Sequence, residues 1–231
     1  MHIGLLQTGH LPEDFQAELG DYPELYGRLL NPHGITMTAY PVVDGVFPEG
    51  PRAHAGWLIS GSRHGAYEDH DWIPPLEALI REIVAARVPL VGICFGHQII
   101  ARALGGTVEK FTGGWAVGRH VYEWEGEEIV LNAWHQDQVT KLPEGARVLS
   151  SSPFCSFAAV GYGDTVLTVQ AHPEFGPSET RKLLETRAPG VVPAPLIEEA
   201  LTTIDDPNHD TELARRIAAF FNQGASHDRV A

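Results

Sequence analysis

The segment PLVGICFGHQIIARALGG constrains this chain more than any other stretch of its 231 residues. An apolar run ends at Cys94 and helical periodicity begins at once, with Gly92 and Gly96 at equal distance on either side of the thiol. A strand that turns directly into a helix at a reactive side chain is the pattern of a nucleophile elbow, with sulfur where G-x-S-x-G carries oxygen. Such an elbow belongs to a sheet covered on both faces, and other segments agree. His2–Gln7, Ile35–Val43, Gly56–Ser60 and Pro89–Cys94 are short apolar runs bounded by Gly or Pro, as buried parallel strands are. Between the last two, Leu76, Leu79, Ile80, Ile83 and Val84 repeat at helical spacing behind Pro74 and Pro75. With a further helix within Glu24–Leu30, the expected fold is α/β, an open and mostly parallel twisted sheet with helices on both sides.

The second half changes character. Gly118–Trp124, Glu127–Trp134, Phe157–Gly161 and Thr165–Gln170 read as short strands, and GYGD between the last two reads as a hairpin turn, so antiparallel strands should extend the sheet. A short helix is expected near Ser178–Thr186, then a proline-rich stretch, APGVVPAP, and then a helix over TELARRIAAFF. In that last helix Leu213, Ile217, Phe220 and Phe221 share one face after an Asp210 cap. The expectation is a single domain over 1–231, with 179–231 a C-terminal helical extension that packs on the main body and ASHDRVA a frayed end.

Composition removes several classes of function. Sixteen Lys+Arg against thirty Asp+Glu give a formal net charge of −14, which repels phosphate backbones and anionic lipid, so neither nucleic acid nor membrane is an expected partner. Two cysteines make no disulfide framework, and the opening MHIGLLQTGH has no basic leader, so a cytoplasmic location is expected. No P-loop or dinucleotide fingerprint occurs, and no cofactor is implied. Among the twelve histidines, His64, His70, His97, His120 and His135 show no H-x-x-x-H arrangement, and no metal centre is expected from spacing.

Cys94 is the candidate nucleophile. A helix N-terminus favours an anion at the sulfur, raising the reactive thiolate fraction, and the same N–H groups suit an oxyanion. Cys155, in SSPFCSFAAV, lacks every one of these features and reads as a core or loop thiol. A thiolate needs a base and the base needs an orienter. In TVLTVQAHPEF, His172 follows a β-branched strand and Glu174 stands two residues on, so both project to the same side of extended backbone.

GICFGHQ together with QAHPEF resembles the class I glutamine amidotransferase family, whose triad is Cys, His and Glu in this chain order. The resemblance runs from the first strand to about Ser178. It implies Cys94 as nucleophile, His172 as base, Glu174 as orienter, and an oxyanion hole from the N–H groups of Gly61 and Phe95. It also implies substrate contacts from Gln98 and from Gln136 and Asp137 in WHQDQV. Many members carry Gly-Gly-Pro where this chain has Gly61-Ser62-Arg63. The run SGSRHGAYEDHDWI looks closest to the GMP-synthase-like branch that includes γ-glutamyl peptidases. About fifty residues follow Ser178, too few for a fused synthetase domain. Three readings follow from the resemblance: a glutaminase releasing ammonia for a separate synthetase, an autonomous hydrolase of γ-glutamyl peptides or amines, and a silent binding protein of the same fold. Glutamine or another γ-glutamyl compound is the expected ligand.

Overall fold

The computed structural model describes residues 1–227, with side chains as far as Gln223. Its elements in chain order are β1 (His2–Gln7), α1 (Glu13–Leu19), α2 (Tyr22–Leu30), β2 (Thr36–Pro41), β3 (Trp57–Ile59), α3 (Ile73–Ala85), β4 (Leu90–Ile93) and α4 (Phe95–Ala103). There follow β5 (Thr107–Lys110), β6 (Ala116–Trp124), β7 (Glu127–His135), β8 (Asp137–Lys141), β9 (Ala146–Ser151), β10 (Ala159–Tyr162) and β11 (Val166–Val169). Three helices complete the described residues: α5 (Pro177–Thr186), α6 (Ala194–Thr203) and α7 (Asp210–His227).

Nine strands form one sheet in the order β2-β1-β3-β4-β11-β10-β9-β6-β7, and β5 pairs with β8 as a separate ribbon. Strands β2, β1, β3, β4 and β11 run parallel, whereas β10, β9, β6 and β7 are joined by antiparallel pairings. The expected hairpin is present, and its second strand lies in register beside β4, pairing Val169 with Ile93.

Alternation along the strands sends side chains to two cores. Ile3, Leu5, Val91 and Ile93 face Leu25, Tyr26 and Leu30 of α2 and Leu213, Ile217 and Phe221 of α7. On the opposite face Leu6, Trp57 and Ile59 meet Leu76 and Ile80 of α3 and Ile99 and Ile100 of α4. The helix expected within Glu24–Leu30 starts earlier, at Tyr22, because Asp21 caps it in a reciprocal box with Glu24 and Pro23 occupies its first turn.

Part of the proline-rich stretch is helical. Pro193 precedes α6, proline stands in its first turn, and Ala200 and Ile204 close a small third core with Val117 and Leu184. α7 presents its apolar stripe to the main core as expected, while the frayed end proposed for 225–231 falls, from residue 228 onward, outside the described residues. Among the described residues no helix is long and apolar enough to cross a membrane.

Candidate active site

Cys94 sits between β4 and α4 with φ 50° and ψ −101°, a backbone that L-residues rarely adopt. The two flanking glycines make that turn sterically possible. A Cβ on Gly92 would lie 2.5 Å from the Gly96 carbonyl oxygen, and one on Gly96 would lie 2.4 Å from that of Ile59. Register fixes the thiol further, because the Cys94 N–H donates to the Val169 carbonyl (2.8 Å) and the Gly96 N–H to that of Ser60 (3.1 Å). The Phe95 N–H, between these two, is left as the candidate oxyanion donor at the start of α4.

The parallel pairing of β11 with β4 carries His172 to the thiol. The His172 Nδ1–H donates to Glu174 Oε1 at 2.7 Å, an arrangement in which the ring's Nε2 faces Cys94 and makes no other hydrogen bond. Both residues are buried, His172 at 3% exposure and Glu174 at 5%. Burial works to lower the imidazole pKa, but the charges of a Cys94 thiolate and of Glu174, with their hydrogen bonds, outweigh it and raise His172 to about 10. Phe175 stacks flat on the ring at 4.3 Å, and the His172 N–H donates to the Asn132 carbonyl (2.9 Å), so ring and backbone are both held.

Three supporting residues went unread in the sequence. The Tyr26 hydroxyl donates to Glu174 Oε1 at 3.0 Å; its pKa is driven well above the ordinary phenol value, by burial and then by the Glu174 charge, so it stays a neutral donor. The Asn132 amide donates to the Phe175 carbonyl (2.8 Å), bracing the turn that carries His172. The Gln170 amide approaches Cys94 Sγ at 3.6 Å. The extended backbone expected to carry His172 and Glu174 to one side is not what forms: β11 ends at Val169, and His172–Phe175 is a turn closed by the Phe175 N–H on the His172 carbonyl (3.3 Å), which brings the two side chains together. Tyr26 and Asn132 carry no local signal, since their roles arise from α2 and β7 docking against the sheet.

Cys94, Gln98, Gln136 and Asp137 line one cleft of about 350 Å³, together with Ser62 and Arg63 from the loop after β3. The Gln98 amide donates to the Asp137 carbonyl (2.9 Å) and to Gln170 Oε1 (3.2 Å), linking the cleft floor to the thiol. Burial raises the Asp137 pKa from its ordinary value, and Tyr67 donates its hydroxyl to that carboxylate (3.2 Å). Gly61 lies beside His172: a Cβ there would come within 3.0 Å of His172 Cε1, and its N–H reaches the Tyr26 hydroxyl.

The five histidines weighed as metal ligands separate into two kinds. His97 and His135 are buried, and burial pushes each down to about 3; His97 is bonded to Thr168 Oγ1 at 2.8 Å. His120 is likewise lowered by burial. His64 and His70 instead converge on Glu68 in the loop that follows β3. Cys155 is buried at 3% exposure in the β9–β10 connection, and burial lifts its thiol to about 12.

Known proteins resemble this chain in sequence and in fold. The family profile Glutamine amidotransferase class-I matches residues 55–188, more than half of the chain. Gamma-glutamyl peptidase 4 of Arabidopsis thaliana is 36% identical over 172 residues, covering 68% of each protein. Gamma-glutamyl peptidase 2 of the same plant is 28% identical over 227 residues, covering 91% of this chain and 92% of that one. The crystal structure of a glutamine amido transferase from Methylobacillus flagellatus superposes with a TM-score of 0.75 at 24% identity, over 96% of this chain and 94% of that one, and so shares the fold.

Proposed function

This chain belongs to the class I glutamine amidotransferase family, and on that premise we propose that it hydrolyses a γ-glutamyl amide bond through a Cys94–His172–Glu174 triad and a γ-glutamyl thioester. The observation that carries the reading is the single line of groups from Glu174 through the oriented imidazole to a thiol on a strained elbow. The Cys94 thiolate attacks the γ-carbonyl carbon, and the developing oxyanion is received by the Phe95 N–H and by the Gly61 N–H, which leaves the Tyr26 hydroxyl to do so. One such donor is worth roughly 3 kcal/mol in the transition state. His172 Nε2–H gives its proton to the departing nitrogen, the C–N bond breaks, and the thioester remains. Water then loses a proton to Nε2, attacks the thioester carbon, and returns the sulfur as thiolate with release of glutamate.

Of the two amide classes, a γ-glutamyl peptide or amine suits the cleft better than glutamine alone. Arg63 and Lys110 line it, as do Trp115 and Trp134, whose rings lie 5.9 Å apart, and ammonia needs none of these. The names borne by the Arabidopsis relatives point the same way. The second reading, release of ammonia from glutamine for a separate synthetase, rests on the family match.

Glutamate release by the purified full-length chain, measured across glutamine and a panel of γ-glutamyl dipeptides, tests both. Efficient partner-independent turnover of a dipeptide supports the peptidase reading. Turnover of glutamine that appears only when a synthetase co-purifies supports the second, and no glutamate from any substrate refutes the proposed chemistry.

A further inference from the structure

We propose that His64, Glu68 and His70 form a binding site for a divalent transition-metal ion of the zinc class at the rim of the Cys94 cleft. His64 Nδ1 lies 3.2 Å and His70 Nε2 2.7 Å from the same Glu68 oxygen. All three candidate ligand atoms fall within 4.8 Å of one another. Bonds of about 2.0–2.1 Å to a tetrahedral ion place its ligand atoms somewhat more than 3 Å apart, so the His64–Glu68 separation already fits. The His70–Glu68 pair needs to open by only about half an ångström.

The donor chemistry narrows the ion. Two imidazole nitrogens with one carboxylate oxygen suit zinc, copper, nickel or iron, whereas magnesium and calcium prefer all-oxygen shells. Three protein ligands on partly exposed side chains, 19% for His64, 43% for Glu68 and 33% for His70, leave a further position open to solvent or to a second ligand. A chain of net charge −14 favours a cation at such a place.

The rings are held in advance of the ion. His70 stacks on Trp72 at 5.9 Å with 12° between planes, and His64 meets the His70 ring edge-on at 4.3 Å. Trp72 is itself anchored, buried at 9% exposure and packed on Phe95 (5.5 Å). The Gly65 N–H donates to the Glu68 carboxylate, and Ser62 Oγ ties the start of the loop to the Thr8 carbonyl at 2.7 Å. A metal clamp here joins the two ends of the loop that carries Gly61, and it does so within the cleft, since His64 and Glu68 line it along with Cys94.

Isothermal titration of the untagged full-length chain with ZnCl₂ tests the site without reference to turnover, with cobalt substitution giving a visible ligand-field spectrum as a second readout. One equivalent is expected to bind. Glu68→Gln, which keeps the side-chain shape, and His70→Asn should each weaken binding by about tenfold or more, and zinc should raise the Tm of the native chain but not of Glu68→Gln. Cys94→Ala should bind zinc as the native chain does. No bound equivalent in the native chain overturns the proposal. So does undiminished binding in folded Glu68→Gln and His70→Asn, or loss of binding in Cys94→Ala with retention in His70→Asn, which places the ion on the thiol instead.

Discussion

The two thiols of this chain lie in the two halves of one sheet and are buried almost equally, Cys94 at 6% exposure and Cys155 at 3%. Their surroundings differ in every respect that matters for chemistry. Cys94, in the parallel half, has a positive φ, a helix start behind it, an oriented histidine in front and a cleft alongside. Cys155, in the antiparallel half, lies in a turn where its own N–H donates to the Ser152 hydroxyl oxygen at 3.0 Å, and burial holds its proton on up to about 12. Burial alone therefore says little about a cysteine; backbone geometry and the neighbouring charges decide whether it reacts.

The contrast breaks most sharply by mutation of the reactive side. Cys94→Ala and His172→Ala should each lower kcat by roughly 10⁴-fold or more, because the triad acts as one unit; Cys155→Ala should leave kcat within about twofold. Equal losses at the two cysteines would dissolve the comparison. An electrophilic γ-glutamyl analogue, with the adduct mapped by mass spectrometry, should label Cys94 and spare Cys155. Glu174→Gln should cost less, about a hundredfold in kcat, since the ring keeps its Phe175 stack and the thiol its helix start.

A structural test of the elbow comes next. Gly96→Ala drives a Cβ to 2.4 Å from the Ile59 carbonyl oxygen and should destabilise the chain by about 3 kcal/mol in denaturant titration. Gly50→Ala, with nothing within 4 Å, should change stability by no more than about 0.5 kcal/mol. Equal effects would remove the steric reason for the flanking glycines.

The two halves also carry one buried histidine each with a pKa pushed down to about 3, His97 on α4 and His135 on β7. Both are neutral in the fold over a range where the unfolded chain, with a pKa near 6.5, takes up protons. Stability is thus unaffected above about pH 6.5 and falls as pH drops toward 3, by up to about 1.4 kcal/mol per pH unit for each ring. His135→Gln should flatten the decline in Tm between about pH 6 and pH 4 relative to the native chain. An unchanged slope would show that His135 is not held neutral.

The strand-to-helix turn at Cys94 and the closeness of His172 to Glu174 were legible in the sequence because their causes are local. Glycines flanking Cys94, and the short span from His172 to Glu174, are written within a few residues of the atoms they position, although the backbone that joins His172 to Glu174 is a turn and not the extended strand the sequence suggests. Strands β5, β8 and β9 were not legible. Thr107–Lys110 shows one buried position among four, and its partner Asp137–Lys141 ends in exposed Thr140 and Lys141, so neither presents an apolar run. Helix α6 was hidden by prolines that look like a linker yet belong before a helix or in its first turn. The His64–Glu68–His70 group escaped a search for i, i+4 histidines because that spacing presumes a helix, and these residues lie in an irregular loop. The parallel seat of β11 beside β4 is a long-range fact that no window of sequence contains.

That seat bears on how the protein is made. β11 enters the sheet between β4 and β10, so a central strand is among the last to be synthesised. Gln170 meets the Cys94 sulfur across a separation of 76 residues, and His172 arrives with the same strand. A nascent chain that has emerged through α4 holds the proposed nucleophile, Cys94, but neither His172 nor Glu174. Closure of so distant a parallel pairing is entropically slow. Under the proposed mechanism catalytic competence requires completion of the sheet, and a chain stalled before β11 displays Cys94 without His172 and Glu174.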